Sequence, residues 1–252
     1  MCLDGVQVVL VETGISENVG MVARACANTG CRSLCLVAPR DVDMGRAGAL
    51  ATPQGRPILD AARVVPDLPA AVAASSLVIG TTARKGGWRR DILSPGDAAG
   101  LVADALARGD EVSLVFGPED RGLSNRDVTL CTHLASIPTA PGGTSLNVAQ
   151  AALILLYGCG PGLPASSPRP GGARTVPSED MERLMARLGA MFREIDLVHG
   201  DDPDYYLLLW RRLFARAGLR RHEYDALMGL CRQVGNRIGA RSDRRPRPPH
   251  AP

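Results

Sequence analysis

No apolar run in the 252-residue chain is long enough to cross a bilayer. The longest candidate, NVAQAALILLYGC, stops short, and the N-terminal MCLDGVQ has neither a basic region nor an apolar core, so a cytoplasmic protein is expected. There is no CxxC pair; the seven cysteines are an odd number, and Cys26, Cys35, Cys131 and Cys159 lie inside apolar stretches, as reduced core thiols do. There is also no HExxH and no clustered Cys/His spacing. His133, His199, His222 and His250 are scattered, and no metal is implied. A strand-borne GxGxxG is missing too. GCGPGLP departs from that pattern and follows a helical stretch, which weighs against a nucleotide-dependent oxidoreductase.

Lysine is nearly absent: Lys85 stands alone among 29 basic residues. Arginine suits bidentate phosphate recognition, but a codon bias of the genome gives the same preference, so composition leaves both open. Distribution says more. From Arg174 onward 15 Arg face 11 acids, whereas the rest of the chain is close to neutral.

What is present reads as an α/β domain followed by a helical appendage. VQVVLVE, SLCLVA, SSLVIGTT, EVSLVFG and HLASIP are β-rich runs bounded by Gly, Pro or Ser. Segments 18–29, 67–75, 96–108 and 145–158 are helical by pattern. In the first, Val19, Val22, Ala23 and Cys26 form the buried stripe, Asn18 suits an N-cap and Gly30 a C-terminal stop. Continuous apolar strands alternating with helices predict a mostly parallel sheet with helices on both faces. The expected division is a domain over 1–160, a Pro/Gly-rich linker over 161–177, a helical extension over 178–240 and a Pro/Arg tail over 241–252. Met181, Leu184, Met185 and Leu188 supply an apolar stripe in the extension, where Tyr205, Tyr206 and Trp210 read as helix-packing residues.

Polar residues and glycines crowd the carboxyl ends of the strands, where open α/β sheets place ligands. The stretches are VLVETGISENVGMVAR, VFGPEDRGLSN and SIPTAPGGTSLNVAQ, with IGTTARKGGWRR as a fourth strand end. Singly, each reads equally as a turn, a cap or a solvated loop; jointly they point to a site.

The order N-x-G-x-x-x-R, FGPE-x-x-GLS-N, then IP and SLN-x-A-x-A resembles the three motifs of the SpoU branch of the SPOUT RNA 2′-O-ribose methyltransferases. VLVET, GT-x-AR and RRLFARAGL resemble the TrmJ-type subgroup, which methylates the ribose at position 32 of the tRNA anticodon loop. The resemblance implies a C-terminal trefoil knot, an exception to the rule against threaded loops. It also implies S-adenosylmethionine as cofactor, S-adenosylhomocysteine as product, a homodimer whose sites use both subunits, and tRNA as partner.

Carried residue by residue, the resemblance assigns the cofactor to Thr81, Thr82, Ala83, Gly117, Glu119, Ile137, Thr144, Ser145, Leu146 and Asn147. It assigns catalytic positions to Arg24, Asn18, Glu119, Ser145 and Asn147, with Gly20 keeping the helix face beside the pocket low. A guanidinium carries no acceptor, so Arg24 is read as binding a phosphate or hydroxyl and favouring negative charge on the oxygen, not as the base. RNA is expected over Arg24, Arg84, Lys85, Arg89 and Arg90, with Trp88 either stacking on a base or buried in an interface. Glu17, directly before Asn18, places an acid where RNA phosphate would pass. Two alternatives stand beside this reading: a different tRNA position or ribosomal RNA as target, and a non-catalytic RNA-binding module.

Overall fold

The computed structural model describes residues 3–84, 86, 91–140, 145–160, 174–197 and 203–242. They fall into two compact units, residues 1–179 and 180–252. No described helix is long and apolar enough to cross a membrane.

The first unit is built on seven strands, β1 (Val6–Val11), β2 (Ser33–Val37), β3 (Arg63–Val65), β4 (Leu77–Thr81), β5 (Ile92–Leu93), β6 (Val112–Phe116) and β7 (His133–Ala135), in the order β3-β2-β1-β6-β4-β7-β5. Every pairing is parallel. The five expected strands are all present. Of the two unexpected ones, β5 has only two residues, and β3, as short as β7, is exposed or half-buried along its length, so no apolar run marks it. β6 is inserted between β1 and β4, in register Val8↔Leu114 and Ile79↔Leu114, so the chain order reverses at this point of the sheet.

Alternation along each strand feeds two apolar layers. Val8, Leu10, Leu36, Ile79, Leu114 and Phe116 face one layer, which is covered by α1 (Ser16–Thr29), α2 (Met44–Asp60), α4 (Pro95–Ala107) and α6 (Val148–Cys159). Val9, Val11, Val37, Val78 and Val115 face the other, covered by α3 (Leu68–Val72) and α5 (Asn125–Leu130). Both faces are covered, which is why the strands read as unbroken apolar runs. Burial pushes the Cys159 thiol up to about 12. The six described cysteines, including Cys26, Cys35 and Cys131, are all buried free thiols.

In α1 the stripe Val19, Val22, Ala23 and Cys26 is completely buried, and Gly30 ends the helix at φ 79°. Asn18 is not its N-cap. Ile15 holds that place in extended conformation without a side-chain bond, and Asn18 lies within the first turn. Gly20 has a different neighbour from the one expected, since a Cβ there would collide with the carbonyl of Ala47 on α2. Across the same contact, a Cβ on Gly55 of α2 would lie 2.9 Å from the amide nitrogen of Arg24. Helix α2 has no forerunner in the sequence reading because MGRAGALATPQGRPILD is rich in Gly and Pro, the weakest helix formers. It starts on Asp43, whose carboxylate accepts from Gly45 N at 2.7 Å, and breaks at Thr52 (φ 62°, ψ 164°). The break falls where Pro53 disfavours helical backbone in the residue before it.

Residues 174–179 run along the amino-terminal edge of the sheet. Thr175 donates its amide and hydroxyl to Asp110 at 3.2 and 3.0 Å, its carbonyl accepts from Ser76 Oγ at 3.1 Å, and Ser178 N donates to Ser75 O at 2.8 Å. Asp110, nearly fully buried, is also paired with Arg108 at 2.9 Å.

The helices of the C-terminal part are α7 (Ser178–Glu194), α8 (Pro203–Ala217) and α9 (Arg221–Ser242). Met181, Leu184, Met185 and Leu188 are buried, and Phe192 contacts Tyr206 edge-on at 5.9 Å and Trp210 at 5.4 Å. Tyr206 and Trp210 are thus packing residues, while the side chain of Tyr205 and the tail beyond residue 242 lie outside the described residues.

The α1–α2 contact makes a direct prediction. Gly20→Ala lowers stability by about 1–3 kcal/mol through overpacking, measured as a lower urea midpoint at unchanged slope. Gly100→Ala, where a Cβ meets nothing within 4 Å on α4, leaves the midpoint equal or higher.

Candidate active site

The carboxyl ends of β4, β6 and β7 and the start of α6 enclose a cleft of about 1240 Å³. It sits beside the inserted strand β6, as the rule for ligands in open parallel sheets requires. Thr81, Thr82, Ala83 and Arg84 reach it from β4, Gly117 and Glu119 from β6, Ile137 from β7, and Ser145, Leu146 and Asn147 from the approach to α6. Asn18 closes it from α1. The expected positions therefore converge, with two kinds of exception. Thr144, Lys85, Trp88, Arg89 and Arg90 lie outside the described residues. Arg24 is exposed on α1 and does not line the cleft.

One hydrogen-bond chain joins the three motifs. Asn147 is the N-cap of α6: its Oδ1 accepts from Ala149 N at 2.8 Å, and its own amide donates to Gln150 Oε1 at 3.2 Å, completing a capping box. A backbone amide can only donate, so Asn147 Nδ2 points the other way and donates to Asn18 Oδ1 at 2.8 Å. Asn18 Nδ2 in turn donates to Glu119 Oε1 at 2.8 Å, and Thr13 Oγ1 donates to the same oxygen at 3.0 Å. The carboxylate of Glu119 thus holds a fixed place at the cleft, where two donors meet one of its oxygens. Asn18 is 2% exposed, and its burial is explained by having both ends of its amide engaged.

The loop after β6 is shaped by its glycines and by Arg84. A Cβ on Gly117 would collide with the backbone of Gly122 and Leu123, so only glycine lets the loop fold back on itself. Arg84 Nη2 donates to the carbonyls of Arg121 at 2.9 Å and Leu123 at 2.8 Å. This guanidinium is a clamp on the Glu119 loop. On β4, Thr81 Oγ1 donates to Val115 O at 3.1 Å and Thr82 N to Ala135 O at 3.0 Å, which ties the three strand ends together.

Sequence reasoning missed Thr13, Arg40 and Asp91. Thr13 lies in VETG, immediately past β1, and its position at a strand's carboxyl end was the signal available. Arg40 donates Nε to Glu12 O at 2.8 Å and pairs with Asp120 at 3.4 Å, while Arg121 pairs with Glu12. Asp91 lines the cleft with φ 51°, a left-handed conformation uncommon outside glycine. Glu17 is held below the usual carboxylate range by its own backbone amide and by Arg46, so this acid is paired and not bare.

Comparison with known proteins agrees with this geometry. Residues 5–157 match the model of the SpoU rRNA Methylase family. A tRNA (cytidine/uridine/adenosine-2′-O-)-methyltransferase TrmJ of Pseudomonas aeruginosa is 33% identical over 243 residues, covering 92% of this chain and 94% of that protein. A tRNA (cytidine/uridine-2′-O-)-methyltransferase TrmJ of Cronobacter sakazakii is 32% identical, with 92% and 96% covered. The crystal structure of TrmJ from Z. mobilis superposes with a TM-score of 0.76 at 29% identity, over 91% of this chain and 98% of that one. With its parallel sheet, its cleft and all three motifs meeting there, the chain belongs to the SpoU methylase family.

Proposed function

We propose that the chain is an S-adenosylmethionine-dependent tRNA methyltransferase that modifies a ribose 2′-hydroxyl, at position 32 of the anticodon loop, in the cytoplasm. The observation that carries this reading is the hydrogen-bond chain that brings Asn18, Glu119 and Asn147 of three separate motifs to one cleft. The printed activities of the TrmJ relatives support the substrate class.

The cleft fits the cofactor chemically. Ligand pockets span about 300–1,000 Å³, and this one, at about 1240 Å³, holds a nucleoside-sized ligand with space for the group it reacts with. Phe116, Ile137, Leu146 and Ala151 offer apolar walls, and the small residues Thr81, Thr82 and Ala83 leave main-chain groups open to polar contact. Bound there, S-adenosylmethionine supplies an electrophilic methyl group on a sulfonium. Ser145, Leu146 and Asn147, with Thr144 before them, hold it at the start of α6, and Glu119 provides a fixed negative charge in the same cleft. The same reading carries the trefoil knot, in the part of the chain that leads from β6 to α6.

Arg24 is the residue that orients RNA in this scheme. Its guanidinium binds the phosphate beside the target ribose and favours negative charge developing on the 2′-oxygen. The proton leaves to water, to phosphate or to a carboxylate, since guanidinium has no acceptor. Its exposure outside its own cleft supports a homodimer in which Arg24 of one copy serves the cleft of the other. Arg84, Lys85, Arg89 and Arg90 contribute phosphate contacts, Arg84 while its Nη2 also holds the Glu119 loop.

The family description names ribosomal RNA, which gives a second reading of the target. Methyl transfer from labelled S-adenosylmethionine to unmodified tRNA transcripts and to ribosomal RNA, followed by nuclease mapping, separates the two. Label on one anticodon-loop ribose is expected. Label on ribosomal RNA alone moves the target, and cofactor binding without transfer to either RNA leaves a binding module. Arg24→Ala lowers kcat by about 100-fold or more. Arg24→Lys keeps the charge but loses the planar fork, and kcat stays at least about tenfold below wild type.

A further inference from the structure

We propose that Thr13 is a positioning residue for Glu119, a role that no motif assigns to it. The residue is 3% exposed, and its hydroxyl donates to Glu119 Oε1 at 3.0 Å across 106 positions of sequence. Two features pin its backbone. Glu12, just before it, takes a left-handed φ of 47° while its amide extends the β1–β2 pairing to Val37 O at 2.8 Å, and the carbonyl of Thr13 accepts from Arg40 N at 2.8 Å. The strained residue is Glu12, and its conformation aims the next residue at the loop after β6.

The chemistry of the shared oxygen explains why two donors are present. Asn18 alone fixes Glu119 Oε1 along one direction, leaving the carboxylate free to swing about that bond. A second donor, from a different element, removes the swing. Asn18 arrives from α1 and Thr13 from the end of β1, which pairs with β6, so the carboxylate after β6 is triangulated from two separate elements. Alignment of a reacting group is worth rate without being worth affinity, which separates a positioning role from a cofactor contact.

This assignment rests on the methyltransferase reading for its kinetic arm only. Thr13→Val keeps the shape and removes the hydroxyl; kcat for methyl transfer is expected to fall about tenfold, with KM for tRNA and the dissociation constant for S-adenosylmethionine within about twofold. Thr13→Ser restores the hydroxyl and most of kcat. A Thr13→Val enzyme with full kcat overturns the proposal. So does a Thr13→Ser enzyme as slow as Thr13→Val, which would assign the effect to the lost methyl group. The second arm needs no ligand: urea-derived stabilities of Thr13→Val, Glu119→Ala, which removes the accepting oxygen, and the double variant are non-additive if the bond exists, and additivity overturns the assignment. Failure of the functional reading shows differently, as a wild-type chain that transfers no methyl group to RNA, and the urea cycle then decides the Thr13–Glu119 contact alone.

Discussion

A single backbone amide sets the polarity of the site. Because Ala149 N can only donate, Asn147 must accept from it and donate onward; Asn18 must then do the same, and the chain has to end on an acceptor. Glu119 is that acceptor. Replacing either asparagine by aspartate sets two oxygens face to face at hydrogen-bond distance, and Glu119→Gln keeps the two bonds only with its amide oxygen turned toward Asn18 and Thr13. The cleft therefore tolerates few exchanges at these positions even though none of them is part of the apolar core.

The sheet makes the chain possible. Inserting β6 between β1 and β4 brings the ends of three strands that are distant in sequence within one hydrogen bond of each other. Parallel pairing leaves all their carboxyl ends on the same edge, and helices on both faces keep that edge as the open side. Gly117 then lets the loop after β6 fold tightly back, and Arg84 holds the fold from β4. The second tight contact, at Gly20 and Gly55, lets the backbones of α1 and α2 touch.

The local pattern of the sequence was sufficient for the five strands with buried apolar residues and for the buried stripe of α1, because both depend on local spacing alone. It was insufficient for α2, whose helix is stabilised by packing on α1 against the preferences of its glycines and prolines. Asn18 illustrates a different failure: an asparagine at the start of a helix is locally a cap, and only a partner 101 positions away makes it a bridge. Arg84 is similar, since nothing local in a basic run announces that one of its guanidinium nitrogens holds two carbonyls of a distant loop. The convergence of the motif residues was readable through the family resemblance; the order in which they bond to one another was not, because donor direction is a property of the folded cleft.

The bonds of Thr175 make one buried carboxylate the anchor for main chain that is distant in sequence. Asp110 accepts from both the amide and the hydroxyl of Thr175 and also pairs with Arg108, so a single side chain satisfies donors from two separate stretches. Its removal would strip all of them of their acceptor at once, and the fastening of residues 174–179 to the amino-terminal edge would be lost as a unit and not bond by bond.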